Sequence, residues 1–272
     1  DTAESSVGAS YNNGTMVLRG SGFSEGRITV GFGTQSLADS SRRDGLDVSS
    51  GYFGGKSVQN GQVSFTVPNG VPTGPMQVTT IGGTSNKLTQ TLTSLAGTAE
   101  SGTPADAGKQ STNPGQSITL QGVGLGINSS VVFETIDTNG NRNQTVVRPW
   151  SVDPSGNSAK VVVPDGTATG LVRLVGDINA TALFLQVVPK ITALDVSSVA
   201  GDGSYANVTL SGRGLIEGNN SEYAFGSVRL TDAGNGSGAD VYGANDTVGL
   251  SVPLSPAAFG AITVKTAGGT SA

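Results

Sequence analysis

The sequence contains no cysteine and no histidine. The first absence excludes disulfide staples, thiol nucleophiles and thiolate metal sites. The second excludes a Ser–His–Asp triad and imidazole ligation of a metal. Aromatic residues make up 5% of the 272 positions, charged residues 13% and apolar residues 35%. Material for one large core is short, so several shallow cores of Val, Leu and Ile are expected. No apolar run approaches the roughly 18 residues of a membrane helix, and no membrane span is expected in this segment. Basic residues are outnumbered 15 to 20, for a net charge of −5. That balance argues against a nucleic-acid partner, whose phosphates need a basic surface. The one tight basic pair, Arg42-Arg43, is followed by Asp44 and Asp47 and reads as a solvated loop. The opening Asp1-Thr2-Ala3-Glu4 has no charged n-region or apolar h-region, as expected after removal of a signal peptide or in a piece of something longer.

What is abundant is glycine, at 42 positions. Glycine weakens helices through backbone entropy but supplies the positive-φ positions of turns and bulges. Short apolar or alternating runs such as Ser117-Ile118-Thr119-Leu120 and Val161-Val162-Val163 are bounded by Gly, Asn or Pro. The expected class is all-β.

Within that class the sequence repeats. A strand ending in Gly-x-Gly-apolar occurs at Val17–Phe23, Thr119–Leu125 and Thr209–Leu215. Further along each copy comes an apolar strand, Val-Pro, a polar loop, Gly and another strand. These read Val63–Pro68 with Gly74 before Met76, Val161–Pro164 with Gly170 before Val172, and Leu250–Pro253 with Gly260 before Ile262. Gly82-Gly83-Thr84-Ser85 and Gly268-Gly269-Thr270-Ser271 close the first and last copies. A proline ending a strand marks where the chain leaves a sheet, and Gly-x-Gly suggests a bulge with the next apolar side chain plugging the core.

These residues resemble the IPT/TIG family, immunoglobulin-like modules found in tandem in bacterial surface proteins, receptors and transcription factors. The resemblance covers all three copies and implies a binding or spacer role without catalytic residues; the third copy departs from it at Leu254-Ser255-Pro256. It predicts three tandem immunoglobulin-like β-sandwiches over 1–97, 98–189 and 190–272. The Gly/Ser/Thr/Pro-rich stretch 97–115 reads as a flexible linker or long surface loop, and the joint at 189–191 as a tight one. The third copy stops at Ala272, where its last strand is expected to begin. That sandwich is expected to lack an edge strand, supplied by residues removed from the chain or by a neighbouring subunit, with Asp1–Asn13 the candidate donor.

Candidate chemistry is sparse. The acids stand mainly in turn contexts such as Asp153-Pro154-Ser155-Gly156, without a visible carboxylate pair across a cleft. No enzyme is expected. Asp137, Asn139 and Asn141 are candidate ligands for a weakly bound Ca²⁺; the competing reading is a hairpin with Asn139-Gly140 in a type I′ turn. No other cofactor is expected. Gly122-Val123-Gly124-Leu125-Gly126 opens no helix and is not a nucleotide loop. Glycosylation sequons stand at Asn13, Asn128, Asn143, Asn179, Asn207, Asn219, Asn235 and Asn245. Trp150, the sole tryptophan, reads as a core plug, with an exposed anchor for a ligand as the alternative. The expected role is that of an extracellular, cell-surface adhesin, surface-layer or fibre module. Its partners would be neighbouring domains or subunits, or a host protein or glycan. The alternative is a carbohydrate- or protein-binding spacer in a larger secreted enzyme.

Overall fold

A computed structural model describes residues 2–5, 10–39, 45–53, 56–71, 73–218, 221–234, 236 and 238–272, with the side chains of 2–5 and 53 excepted. The fold is all-β. The first unit runs through β1 (Thr2–Ser5), β2 (Thr15–Arg19), β3 (Ile28–Phe32) and β4 (Gln35–Ala38). It continues through β5 (Leu46–Phe53), β6 (Lys56–Thr66), β7 (Met76–Thr80) and β8 (Gly83–Thr84). The second unit begins with β9 (Thr91–Ala96), β10 (Thr103–Pro104), β11 (Ser111–Thr112), β12 (Ser117–Val123) and β13 (Val131–Ile136). It ends with β14 (Arg142–Val147), β15 (Ser151–Val152), β16 (Ser158–Val162), β17 (Thr167–Leu174) and β18 (Ala182–Val187). The third contains β19 (Lys190–Val199), β20 (Tyr205–Arg213), β21 (Ser221–Phe225) and β22 (Val228–Asp232). Then follow β23 (Ala239–Tyr242), β24 (Thr247–Pro253), β25 (Ile262–Thr266) and β26 (Gly269–Thr270).

Each unit is two sheets closed on an apolar core. The sheets are β1-β2-β6-β5 with β4-β3-β7-β8, then β15-β16-β12-β9 with β11-β18-β17-β13-β14, then β19-β20-β24-β23 with β10-β26-β25-β21-β22. Alternation along strands fills the cores, as in β12, where Ile118 and Leu120 are buried and Thr119 and Gln121 are not. The plugs after Gly-x-Gly behave as expected, with Leu125 and Leu215 buried and Phe23 packed against the first core.

The two glycines of Gly-x-Gly do different jobs. A Cβ on Gly122 would lie 2.0 Å from the Thr91 carbonyl oxygen, and one on Gly212 would lie 2.3 Å from that of Lys190. The first glycine therefore lets the opening strand of the unit approach at a bulge, seen as the register shift between Gln121 and Gly122. The second has positive φ in every copy: 81° at Gly22, 68° at Gly124 and 70° at Gly214. The Val-Pro signature is equally concrete. Val67, Val163 and Val252 are all buried. The Val67 and Val163 amides donate to the carbonyls of Gly14 and Gln116 as the chain leaves the sheet. In the third copy the segment from Pro253 to Gly260 is one residue longer than its counterparts Pro68 to Gly74 and Pro164 to Gly170, and a short 3-10 turn, Pro256–Ala258, takes up that residue. In the closing Gly-Gly-Thr-Ser, Ser85 and Ser271 each clasp the strand before them. The serine amide donates to the carbonyl of Val78 or Val264. Its hydroxyl accepts that same valine's amide at 2.9 Å.

Three expectations need correction. Thr91–Ala96 pairs with β12 and so opens the second unit instead of closing the first, which moves the boundary from 97 to about residue 90. The stretch 97–115 is no flexible linker: β11 pairs in parallel with β18, and β10 pairs with β26 of the third unit. The candidate donor segment is already engaged, since β1 pairs with β2 of its own unit.

Leu194 and Val196 on β19 lie opposite the core residues Leu210 and Val208, yet are 45% and 54% exposed. At the register place of Leu194, the second unit has Leu95 opposite Leu120, and Leu95 is 7% exposed. There the facing sheet includes the six-residue strand β18, with Leu185 in the same core cluster as Leu95, whereas its counterpart β26 has two residues. Full burial of a leucine is worth about 1.5–3 kcal/mol, which Leu95 gains and Leu194 does not.

Candidate functional site

The most elaborated places are the joints between units. At the first, the Tyr11 amide donates to the Gln144 carbonyl at 2.7 Å, and the Asn12 side chain donates to Gln144 Oε1 at 3.3 Å. Gln90 is buried and hydrogen-bonded through its backbone carbonyl and both ends of its side-chain amide. Its carbonyl accepts the Ile178 amide at 3.0 Å, its Nε2 donates to the Val175 carbonyl, and its Oε1 accepts the Ser129 hydroxyl. Asp177, with no solvent exposure, accepts the Leu92 amide at 2.9 Å. Val132, Val146 and Val175 of the second unit complete the core cluster of the first.

At the second joint, Gln186 holds the folded-back loop. Its Oε1 accepts the Asp106 amide and its Nε2 donates to the Asp106 carbonyl, both at 2.8 Å. Buried Asn113 donates to the carbonyls of Ser101 and Val188 and accepts the Ser101 amide, each at 2.9 Å. The Ala105 amide reaches the Gly268 carbonyl, and Arg213 pairs with Asp165 at 3.2 Å. Ile136, Ala168 and Ile216 form a small apolar contact between the units. The first joint thus carries an isolated bridge, Ser10 to Thr145, and a shared core, and the second a short ladder between β10 and β26, features of packed structure rather than a tether.

The sequence-derived sites fare unequally. Asp137 does not offer a cation an open carboxylate. Its oxygens accept the Asn139 and Asn141 amides and the side-chain NH₂ groups of Asn141 and Asn143. Slight desolvation works to raise its pKa, but the donors, led by Asn141, together hold it below the usual carboxylate range. Asn139 and Asn141 therefore serve as turn donors to Asp137. The hairpin reading stands for β13 and β14, but the turn is not type I′: Gly140 has φ 79°, whereas Asn139 is not among the positive-φ residues. Trp150 is 58% exposed and not a core plug; its Nε1 donates to Ser117 Oγ at 3.1 Å, and Lys160 Nζ lies 5.9 Å from the ring. Among the sequons, Asn13, Asn143 and Asn179 are exposed, and Asn128 and Asn207 half-buried. Asn245 is buried against Gly166 of the second unit, where a glycan has no room. Asn219, Asn235 and the Arg42-Arg43 pair lie outside the described residues.

Among the described residues, the clefts at the joints bring no two carboxylates face to face. A polar cleft of about 440 Å³ at the first joint is lined by Asn12, Asn69, Arg142, Asn143 and one acid, Glu134, which is paired with Arg173 at 3.2 Å. A feature missed from sequence is a pair of acids that recurs in the first and third units, with Asp39, Glu217 and Asp232 buried and Glu25 half-buried. Glu25 Oε2 accepts the Val48 amide at 2.9 Å, as Glu217 Oε2 accepts that of Val241 at 2.8 Å. Asp39 Oδ2 accepts the Gly26 amide at 2.5 Å, as Asp232 Oδ2 accepts that of Gly218 at 2.7 Å. The signal was present as Gly-x-Gly-apolar-x-Glu-Gly at Gly20–Gly26 and Gly212–Gly218.

No protein-family model and no curated protein matches the sequence. Among solved structures, the chain is similar to a tetra-tandem repeat in the extending region of a large adhesion protein. Identity is 14% over 98% of this chain and 70% of that one, with a TM-score of 0.24. It is also similar to SGBP-B from a xyloglucan utilization locus of Bacteroides uniformis, at 10% identity over 99% and 91% of the two chains and a TM-score of 0.27. A third likeness is to the N-terminal eight immunoglobulin domains of Down Syndrome Cell Adhesion Molecule, at 13% identity over 97% and 40% and a TM-score of 0.19. The pairing and packing of the strands carry the fold assignment by themselves.

Proposed function

We propose that this chain is a non-catalytic, load-bearing segment of an extracellular surface protein. In this reading it is a tandem of IPT/TIG-like sandwiches that holds neighbouring domains, or an adhesive tip, away from a cell surface. The observation that carries this reading is the construction of the joints. A chain that only tethers domains has no use for a Tyr11 amide bonded to the Gln144 carbonyl, an Ala105 amide bonded to the Gly268 carbonyl, or Val132, Val146 and Val175 closing a neighbour's core. A chain that transmits force or fixes a spacing does. The shared Gly-x-Gly and Val-Pro positions support the IPT/TIG kinship, and exposed Asn13, Asn143 and Asn179 suit a glycosylated surface. A second reading, glycan or protein binding within a larger secreted enzyme, is favoured by Trp150, whose exposed ring stands between Ser117 and Lys160.

Pulling single molecules by their termini tests the load-bearing reading. Three unfolding events are expected, with no extension preceding the first. If residues 97–115 yield first, releasing about 60 Å of slack at negligible force, the stretch is a tether and the proposal fails.

A further inference from the structure

We propose that copies of this chain associate head to tail, the outer end of the third unit docking onto the outer end of the first unit of a second copy. Both internal joints use the same end of the preceding sandwich, where its second strand begins and its Val-Pro segment leaves the sheet. Asn13 and Asn69 line the cleft at the first joint. At the second, Gly115 lies against Arg213, and Asp165 pairs with Arg213 at 3.2 Å. These are matching positions. The Asn13 and Gly115 amides donate to the Val67 and Val163 carbonyls, and Asn69 and Asp165 each follow the proline of Val-Pro. In the third unit the same two places hold Tyr205, which pairs across from Pro253, and Leu254. They are 42% and 36% exposed, and Phe259 in the same loop is 75% exposed.

The receiving side follows the same logic. At the first joint it includes Val175, in the turn from β17 to β18, together with β14. At the second it includes Asn245, in the turn from β23 to β24, which lies against Gly166. The matching connections of the first unit are the β7–β8 turn with Ile81 and the β5–β6 hairpin with Tyr52, 82% and 67% exposed. Among the described residues Ile81, Phe259 and Tyr52 are the three most exposed large hydrophobic side chains, and all stand at the two outer ends. Hydrophobic surface gathered in this way marks association sites. The β5–β6 hairpin runs on past Gln62, the last partner of β2, as far as Lys56, about 20 Å further. In the other units β16 and β24 start opposite β12 and β20, without such an arm. A two-stranded ribbon has little stability alone, and a docked partner gives it cover. Charge agrees with the pairing. Exposed Arg27 and Lys56 stand at the first unit's end and exposed Asp202 at the third's, the same polarity as Arg213 facing Asp165 within the chain.

The two ends differ, so the contact is heterologous and does not close. Each added copy leaves one end of either kind free, which gives an open row rather than a closed dimer. The inference holds whether or not the internal joints bear load.

The test is sedimentation of the whole chain over a concentration series. The mean mass of the parent is expected to rise past that of a dimer at concentrations on the order of 10–500 μM, as for a small, transient interface. Tyr205→Ser with Phe259→Ser, and Tyr52→Ser with Ile81→Ser, should each weaken association about thirtyfold or more, the effect of removing a central anchoring side chain. The substitutions fall on exposed side chains, and melting checks that both variants keep the parent's fold. Mixing the two variants is the sharper readout. Each lacks a different end, so the mixture should form dimers and stop there. A parent chain still monomeric at about 500 μM, a variant that assembles like the parent, or a mixture that stays monomeric overturns the proposal.

Discussion

Val163→Asp should cost the second unit about 3–5 kcal/mol, a large part of the roughly 5–15 kcal/mol that holds a sandwich together. Val163 has no solvent exposure and sits in one core cluster with Leu120, Phe133 and Leu174. Its amide and carbonyl are both spent on the Gly115–Gln116 segment, which fixes the backbone at the point where Pro164 ends pairing. The aspartate therefore cannot swing outward, and its charge would stay buried without a partner. Chemical denaturation followed by Trp150 fluorescence, a reporter on the second unit, reads the loss directly. A midpoint like that of the parent chain would put Val163 on the surface and undo the alignment of the Val-Pro segments.

Gly122→Ala should cost about 2–3 kcal/mol, although it adds one methyl group. The obstacle is backbone: the new Cβ would meet the Thr91 carbonyl at 2.0 Å, and Thr91 is fixed by its own pairing to β12. Relief requires parting the first strand of the unit from the second. Gly126→Ala, four residues on, meets nothing within 4 Å and should stay within about 0.5 kcal/mol of the parent. Thermal melting of the two variants side by side separates close approach from general loss of glycine flexibility. Equal effects would remove the physical reason given for the first glycine of Gly-x-Gly.

The repeat was legible in sequence because its marks are local. Gly124 needs positive φ, Pro164 has no amide to pair, and Ser271 clasps its own hairpin; each constraint is written within a few residues. What escaped depended on distant partners. Leu88 to Leu92 alternates without a Gly or Pro, so periodicity does not separate the end of one unit from the start of the next, whereas Pro189 marks the corresponding point one unit on. The stretch 97–115 has linker composition, and its order comes from the amides of Gln186 and Asn113, which only the fold brings to it. Trp150 was misread because Trp is highly buried on average and nothing local marks an exposed ring. The acid pairs were only half legible: the glutamate stands in a local Gly-x-Gly-apolar-x-Glu-Gly run, but its aspartate partner reaches it only across β3, β4 and the turn between them.

The central claim is that the units are joined by structure and not by slack, and amide hydrogen exchange measures it most directly. The Tyr11 and Ala105 amides cross between units to the Gln144 and Gly268 carbonyls, and the Ser101 and Asp106 amides hold the 97–115 stretch in place through Asn113 Oδ1 and Gln186 Oε1. These amides are expected to exchange on the order of a hundredfold or more slower than free peptide, within reach of the sheet interiors. Free-peptide exchange across 97–115, with β12 and β17 still protected, would contradict the claim and return that stretch to the flexible linker its composition suggests.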